Sequence, residues 1–103
     1  ATLMPIVAGI AGNSANLLAR PSVTSDFTIL DFALTRQASV SCRVFDVSGR
    51  LVRQLSTGTL GAGAHELTWD TRDDGSRAVP SGVYLVQLVV DGFSSTRKEI
   101  VAR

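Results

Sequence analysis

The residues best equipped for chemistry fall in one short run, Asp70-Thr71-Arg72-Asp73-Asp74-Gly75. Carboxylates this close around a glycine form the kind of oxygen-rich loop that can hold Ca²⁺, which takes about six to eight oxygen ligands. Asp70, Asp73 and Asp74 are therefore the candidate metal ligands. Their spacing departs from an EF-hand loop, and Arg72 and Arg77 bring positive charge to the same stretch. The competing use is structural: aspartates between two strands close Asx-turns and accept hydrogen bonds from backbone amides. The turn reading is preferred, so no metal is expected. His65 is the only histidine, which excludes a two-histidine metal site or relay. No serine sits in a G-x-S-x-G elbow. Cys42 is the only cysteine, so no internal disulfide forms; it alternates with Val40 and Val44 and reads as a small core residue. With no nucleophile beside a base, the chain is expected not to be an enzyme and to need no cofactor.

The elements that must position these residues are short strands. In "FTILDFAL" Leu30, Phe32 and Leu34 alternate with Asp31, the period-two pattern of a half-buried strand. "SVSCRVFDV" repeats it with Val40, Cys42 and Val44. Ser48-Gly49 then separates two apolar runs as a hairpin turn, with "RLVRQL" as the returning strand. "GTLGAGAH" reads as a glycine-rich turn into "HELTWD", where His65, Leu67 and Trp69 share a face. "DTRDDGSRAVPSG" is a longer loop. "VYLVQLVV" is apolar on both faces, as a central strand is. Asp91-Gly92 marks a hairpin into "FSSTRKEIVAR", whose Arg97 and Lys98 suit an edge strand. Trp69 and Tyr84 are the large core anchors, with Phe32, Leu34, Val44 and Leu88 around them; Phe27 and Phe93 are expected nearer the surface. The pattern predicts an all-β fold, an immunoglobulin-like antiparallel β-sandwich of about seven strands with an N-terminal strand extension. The expected division is an apolar extension over residues 1–22 and a sandwich over 23–103.

Bulk properties exclude several partners. The chain has 103 residues, a net charge of +1 and 18% charged residues. That is one domain, without the basic footprint that nucleic acid or an anionic membrane would select.

Several stretches, taken in order, resemble one family. They are a hairpin with Val44, Asp46, Gly49 and Arg50, and a strand with Gly63, His65, Trp69 and Asp70. A turn with Asp73, Asp74, Gly75, Val79, Ser81, Gly82, Val83 and Tyr84 follows, and then a last strand with Arg97, Lys98 and Val101. Over residues 27–103 the chain resembles the C-terminal sorting domain of proteins exported by the bacterial type IX secretion system. It is similar too to the immunoglobulin-like domain of the flagellar hook-capping protein. The resemblance implies a bacterial, exported module, extracellular or at the cell surface. It also implies that the end carrying Arg97, Lys98 and Val101 is read by secretion machinery. Where sorting domains open on an Asn-Pro-Phe-like motif, this chain reads Ala19-Arg20-Pro21-Ser22.

The opening "ATLMPIVAGIAGNSANLLAR" carries no charged side chain before Arg20. No basic segment precedes it as a signal peptide requires, and Asn13, Ser14 and Asn16 interrupt it, so no transmembrane segment is expected. A chain opening on Ala1 is expected to be a processed or trimmed product. Residues 2–10 fit a strand with Met4, Ile6, Ala8 and Ile10 on one face and Leu3, Pro5 and Val7 on the other. Gly9 and Gly12 weigh against a helix. Leu3, Met4, Ile6, Val7 and Ile10 are thus the candidate assembly residues, followed by a polar spacer. Such a strand pairs with its own sandwich or with a neighbour's, and the second arrangement builds a filament. The leading expectation is a non-enzymatic exported structural subunit that self-assembles with copies of itself, head to tail, at the bacterial surface. The alternatives are a type IX sorting domain of a larger cargo and a small Ca²⁺- or ligand-binding module.

Overall fold

Period-two alternation becomes sheet when each apolar face finds another to cover it, and here two sheets cover each other. The computed structural model describes residues 17–103. Its strands are β1 Leu18–Arg20, β2 Val23–Thr24, β3 Thr28–Leu34, β4 Ala38–Asp46, β5 Leu51–Leu60, β6 Gly63–Trp69, β7 Gly82–Val90 and β8 Phe93–Val101. One sheet has the order β1-β3-β6 and the other β2-β8-β7-β4-β5. All pairings are antiparallel except β2 with β8. This is the expected immunoglobulin-like sandwich. Among the described residues no helix is long and apolar enough to cross a membrane.

The inward positions are those the alternation selects. Leu30, Phe32 and Leu34 of β3, Val40, Cys42 and Val44 of β4, and Tyr84, Val86, Leu88 and Val90 of β7 form one buried cluster. Trp69 is fully buried at its centre, with its ring 5.5 Å from that of Tyr84 in an edge-on arrangement, a geometry aromatic quadrupoles favour. Both polar tips are satisfied: Trp69 Nε1 donates to Arg72 O at 2.9 Å and Tyr84 Oη to Pro80 O at 2.7 Å. Phe27 and Phe93 lie at the surface, 45% and 55% exposed.

Two elements differ from the pattern-based expectation. β5 does not stop after "RLVRQL" but runs on to Leu60, leaving only Gly61 and Ala62 as the turn. Thr57 and Thr59 suit an extended chain, and Gly58, at φ 132°, adopts a backbone state closed to most side chains while pairing with Val40. The second difference lies at the start. β1 and β2 come from Leu18–Thr24, a stretch without alternation. They exist because the chain crosses there from one sheet to the other: β1 pairs with β3, and β2 with Ile100 and Val101 of β8. Leu17, just before β1, is buried in the core.

Candidate functional site

Most residues of the ordered motif series gather at one end of the sandwich, in two connections and the start of β7, while Gly63 and His65 lie toward the far end of β6 and Arg97 and Lys98 within β8. The first connection is the β4–β5 hairpin, where Gly49 sits at φ 89°. Asp46 organises it. Its Oδ1 accepts from Ser48 N at 3.0 Å, Ser48 Oγ at 2.6 Å and Arg50 N at 3.0 Å, and its Oδ2 accepts from Arg50 Nε at 3.1 Å. These donors, the Ser48 hydroxyl foremost, hold the Asp46 carboxyl down at about 2. The V-x-D-x-x-G-R spacing is thus a folding instruction, in which an aspartate closes the turn that its glycine permits.

The second connection runs from Asp70 to Ser81. Asp73 Oδ1 accepts from Gly75 N and Arg77 N, both at 2.9 Å, which lowers its carboxyl below the usual range, the Arg77 amide being the largest cause. Asp70 Oδ1 accepts from Arg72 N and from Arg53 Nη1, each at 3.1 Å. Asp74 reaches sideways to β5, accepting from Gln54 N at 3.1 Å, with Arg53 Nε at 3.8 Å. The three carboxylates therefore serve as turn closures and strand clamps, each engaged by amide or guanidinium hydrogens. Among the described residues no group of three or more His, Cys, Asp or Glu is arranged to hold a metal ion. Gly82 opens β7 with the Tyr84 ring 3.9 Å from where a Cβ would stand. Between the two connections lies an open depression of about 530 Å³, with Val52, Val79 and Tyr84 beneath and Asp46, Arg50 and Arg77 around it.

The remaining sequence candidates occupy separate places. His65 is half-buried, stacks on Phe32 at 5.4 Å across the strands and meets Gly61 O through Nε2 at 2.7 Å. Cys42 is buried, and burial pushes its thiol up to about 11. In β8, Val101 is in the core, Arg97 Nε donates to Leu17 O at 2.6 Å and Lys98 is exposed. Arg103 is tied down: its guanidinium donates to Val79 O at 2.7 Å and to Thr71 O at 2.9 Å, joining the end of β8 to the 70–81 loop. The candidate assembly residues, Leu3, Met4, Ile6, Val7 and Ile10, lie outside the described residues.

One residue escaped the sequence reading. Glu99 is 0% exposed, between the sheets and opposite Tyr84. Neither carboxylate oxygen has a hydrogen-bond partner among the described residues, since the nearby Thr28 Oγ1 donates to Pro21 O at 2.9 Å. Burial raises its carboxyl to about 7, with Thr28 pulling weakly the other way. The clue was available: in "RKEIV" Glu99 shares the inward phase of Val101, while Lys98 and Ile100 point out.

Comparison with known proteins places this architecture. A chain similar to part of it is the basal-body rod modification protein FlgD of Salmonella typhimurium, 39% identical over 49 residues. That match covers 48% of the present chain and 21% of FlgD, so the chain spans about a fifth of that relative. Among solved structures, dimeric latent PorU from Porphyromonas gingivalis aligns over 94% of this chain and 10% of its own, with a TM-score of 0.72 and 23% identity. PorZ, a surface component of the type IX secretion system of the same organism, aligns over 85% of this chain and 12% of its own, with a TM-score of 0.60 and 23% identity. At such identities these two structures share the fold. A family model described as FlgD Ig-like domain matches residues 21–92, which take in both motif-bearing connections, and the chain belongs to that family.

Proposed function

We propose that the chain is a non-enzymatic, exported structural domain that assembles with copies of itself at the bacterial surface, residues 2–10 serving as a donated strand. The observation that carries the reading is membership of the FlgD Ig-like family by a domain whose acidic loops are engaged in holding its own backbone. Such loops offer rigidity rather than a reaction. Support for assembly comes from the uncharged stretch before Arg20, apolar over residues 3–10, since strand addition needs unpaired backbone and apolar side chains, and no charge. Deleting residues 1–16, which stops short of the buried Leu17, is expected to leave monomers in sedimentation, while the full chain forms assemblies visible in electron micrographs. Assemblies unchanged by the deletion would end this reading.

A second reading is a sorting domain for type IX export. It is favoured by fold neighbours whose names include a surface component of that system, and by the small share of PorU and PorZ that the domain matches. Fusing residues 17–103 to a periplasmic reporter should then carry the reporter outside cells that possess the system. Retention inside would count against it.

A further inference from the structure

The two sheets are unequal, and the inequality leaves one lane uncovered. β1 lies against β8, and β6 meets β5 where the Gly61–Ala62 turn joins them, so three strands face the four long strands β8, β7, β4 and β5. The lane beyond β6, opposite β5, holds no strand among the described residues. Beside it, Leu55 and Leu60 of β5 and Leu67 of β6 pack on the core but stay only half-buried. The other flank is closed by the buried Leu17, with Arg97 on its carbonyl.

The free edge of β6 is also the least defended. β6 pairs with β3 through seven consecutive residues without a register shift, so it is long and regular. β5 breaks its pairing with β4 at two places, and bulges of that kind turn an edge away from new partners. β8 carries Arg97 and Lys98 and is taken by β2 at Ile100 and Val101. The carboxylate of Glu66, on β6, is offset by Arg20 Nη2 at 3.5 Å.

Resting on the assembly reading above, we infer that the free edge of β6 is the acceptor for residues 2–10 of a neighbouring copy, which complete the three-stranded sheet. The segment matches the lane in chemistry. It is uncharged, apolar and about as long as β6, and as a strand it turns Met4, Ile6, Ala8 and Ile10 to the half-buried leucines and Leu3, Pro5 and Val7 outward. The donor is a neighbour's by the assembly reading. A chain's own segment starts from Leu17 on the opposite flank, about 14 Å away across β1, β3 and β6 at the usual strand spacing, and its use in place of a neighbour's is the outcome that the disulfides below detect.

The test follows the full chain through a concentration series, by sedimentation and residue-resolved amide hydrogen exchange, beside the variant Ile6→Lys. Association is expected to slow exchange across Gly63–Trp69 about tenfold or more, with β8 unchanged, and Ile6→Lys is expected to abolish both effects. In a Cys42→Ala background, cysteines are placed in turn at Leu3, Pro5 and Val7, the face that points out as the exposed Thr68 does, and one of the three is expected to form a disulfide with Thr68→Cys between copies. Protection appearing instead on β8, or on the outer face of the five-stranded sheet, overturns the acceptor while leaving assembly standing. Disulfides confined within one chain overturn the neighbour as donor. A full chain that stays monomeric at every concentration ends the assembly reading, and the acceptor with it.

Discussion

At the scale of single residues, Glu99 and Tyr84 show how much one buried polar group changes. Glu99 has a carboxyl raised from the ordinary value to about 7, so between roughly pH 4.5 and 7 the folded state keeps a proton that the unfolded chain has lost. Stability contributed by the neutral group is full below that window and falls as pH rises through it. The expected loss is about 3 kcal/mol, from the linkage between protons and folding. Denaturant midpoints measured from pH 4.5 to 8 should decline, and Glu99→Gln should flatten the slope. A slope that survives the substitution would assign the effect elsewhere. Tyr84 provides the contrast, because its hydroxyl has a partner in Pro80 O. Tyr84→Phe keeps the ring against Trp69 and should cost only about 1 kcal/mol, whereas Trp69→Ala empties the centre and should cost about 3–5 kcal/mol.

At the scale of elements, the aspartate turn of the β4–β5 hairpin closes one sheet, and the aspartate loop between β6 and β7 acts as a rigid corner between the two sheets. Asp73 fixes the loop after β6 through two amides, and Asp74 anchors that loop to β5. Asp73→Ala should loosen the corner without emptying the core. Trypsin is expected to cut after Arg72 and Arg77 several-fold faster at a nearly unchanged melting temperature, since local opening costs less than global unfolding. Equal cleavage rates would show the loop to be held by other contacts. Arg103 joins the same loop to the end of β8 through Val79 O and Thr71 O. Arg103→Ala should destabilise the fold by about 1–2 kcal/mol in chemical denaturation. Asp91-Gly92 is clamped in the same way, Asp91 Oδ1 accepting from Ser39 N at 3.0 Å; both residues have positive φ, 48° and 88°, and the hairpin they announce is the one that forms.

At the scale of the whole molecule, the inequality of the sheets matters more than any residue in them. A five-stranded sheet facing a three-stranded one cannot be covered evenly, and the half-buried Leu55, Leu60 and Leu67 mark where cover is short. In the proposed assembly, strand addition is a packing event whose direction is set by an acceptor edge on the flank opposite Leu17. Contacts of that kind are heterologous and run head to tail.

The strands from Thr28 onward, their inward faces and the Trp69–Tyr84 centre were legible in the sequence, because alternation and turn chemistry are local properties that neighbouring residues state themselves. The aspartates' use in turn closure was legible for the same reason, from their spacing to glycine and arginine. Tertiary structure alone decided the rest. Leu18–Thr24 lacks alternation and becomes strand only because β3 and β8 offer it edges. β5 outruns its expected end because Val40 and Ala38 wait opposite Gly58 and Leu60. Whether Glu99 lies on a wet edge or between two sheets depends on which strand passes over it. The uncovered lane beside β6 is a difference between two sheets, a quantity that exists only once both have formed.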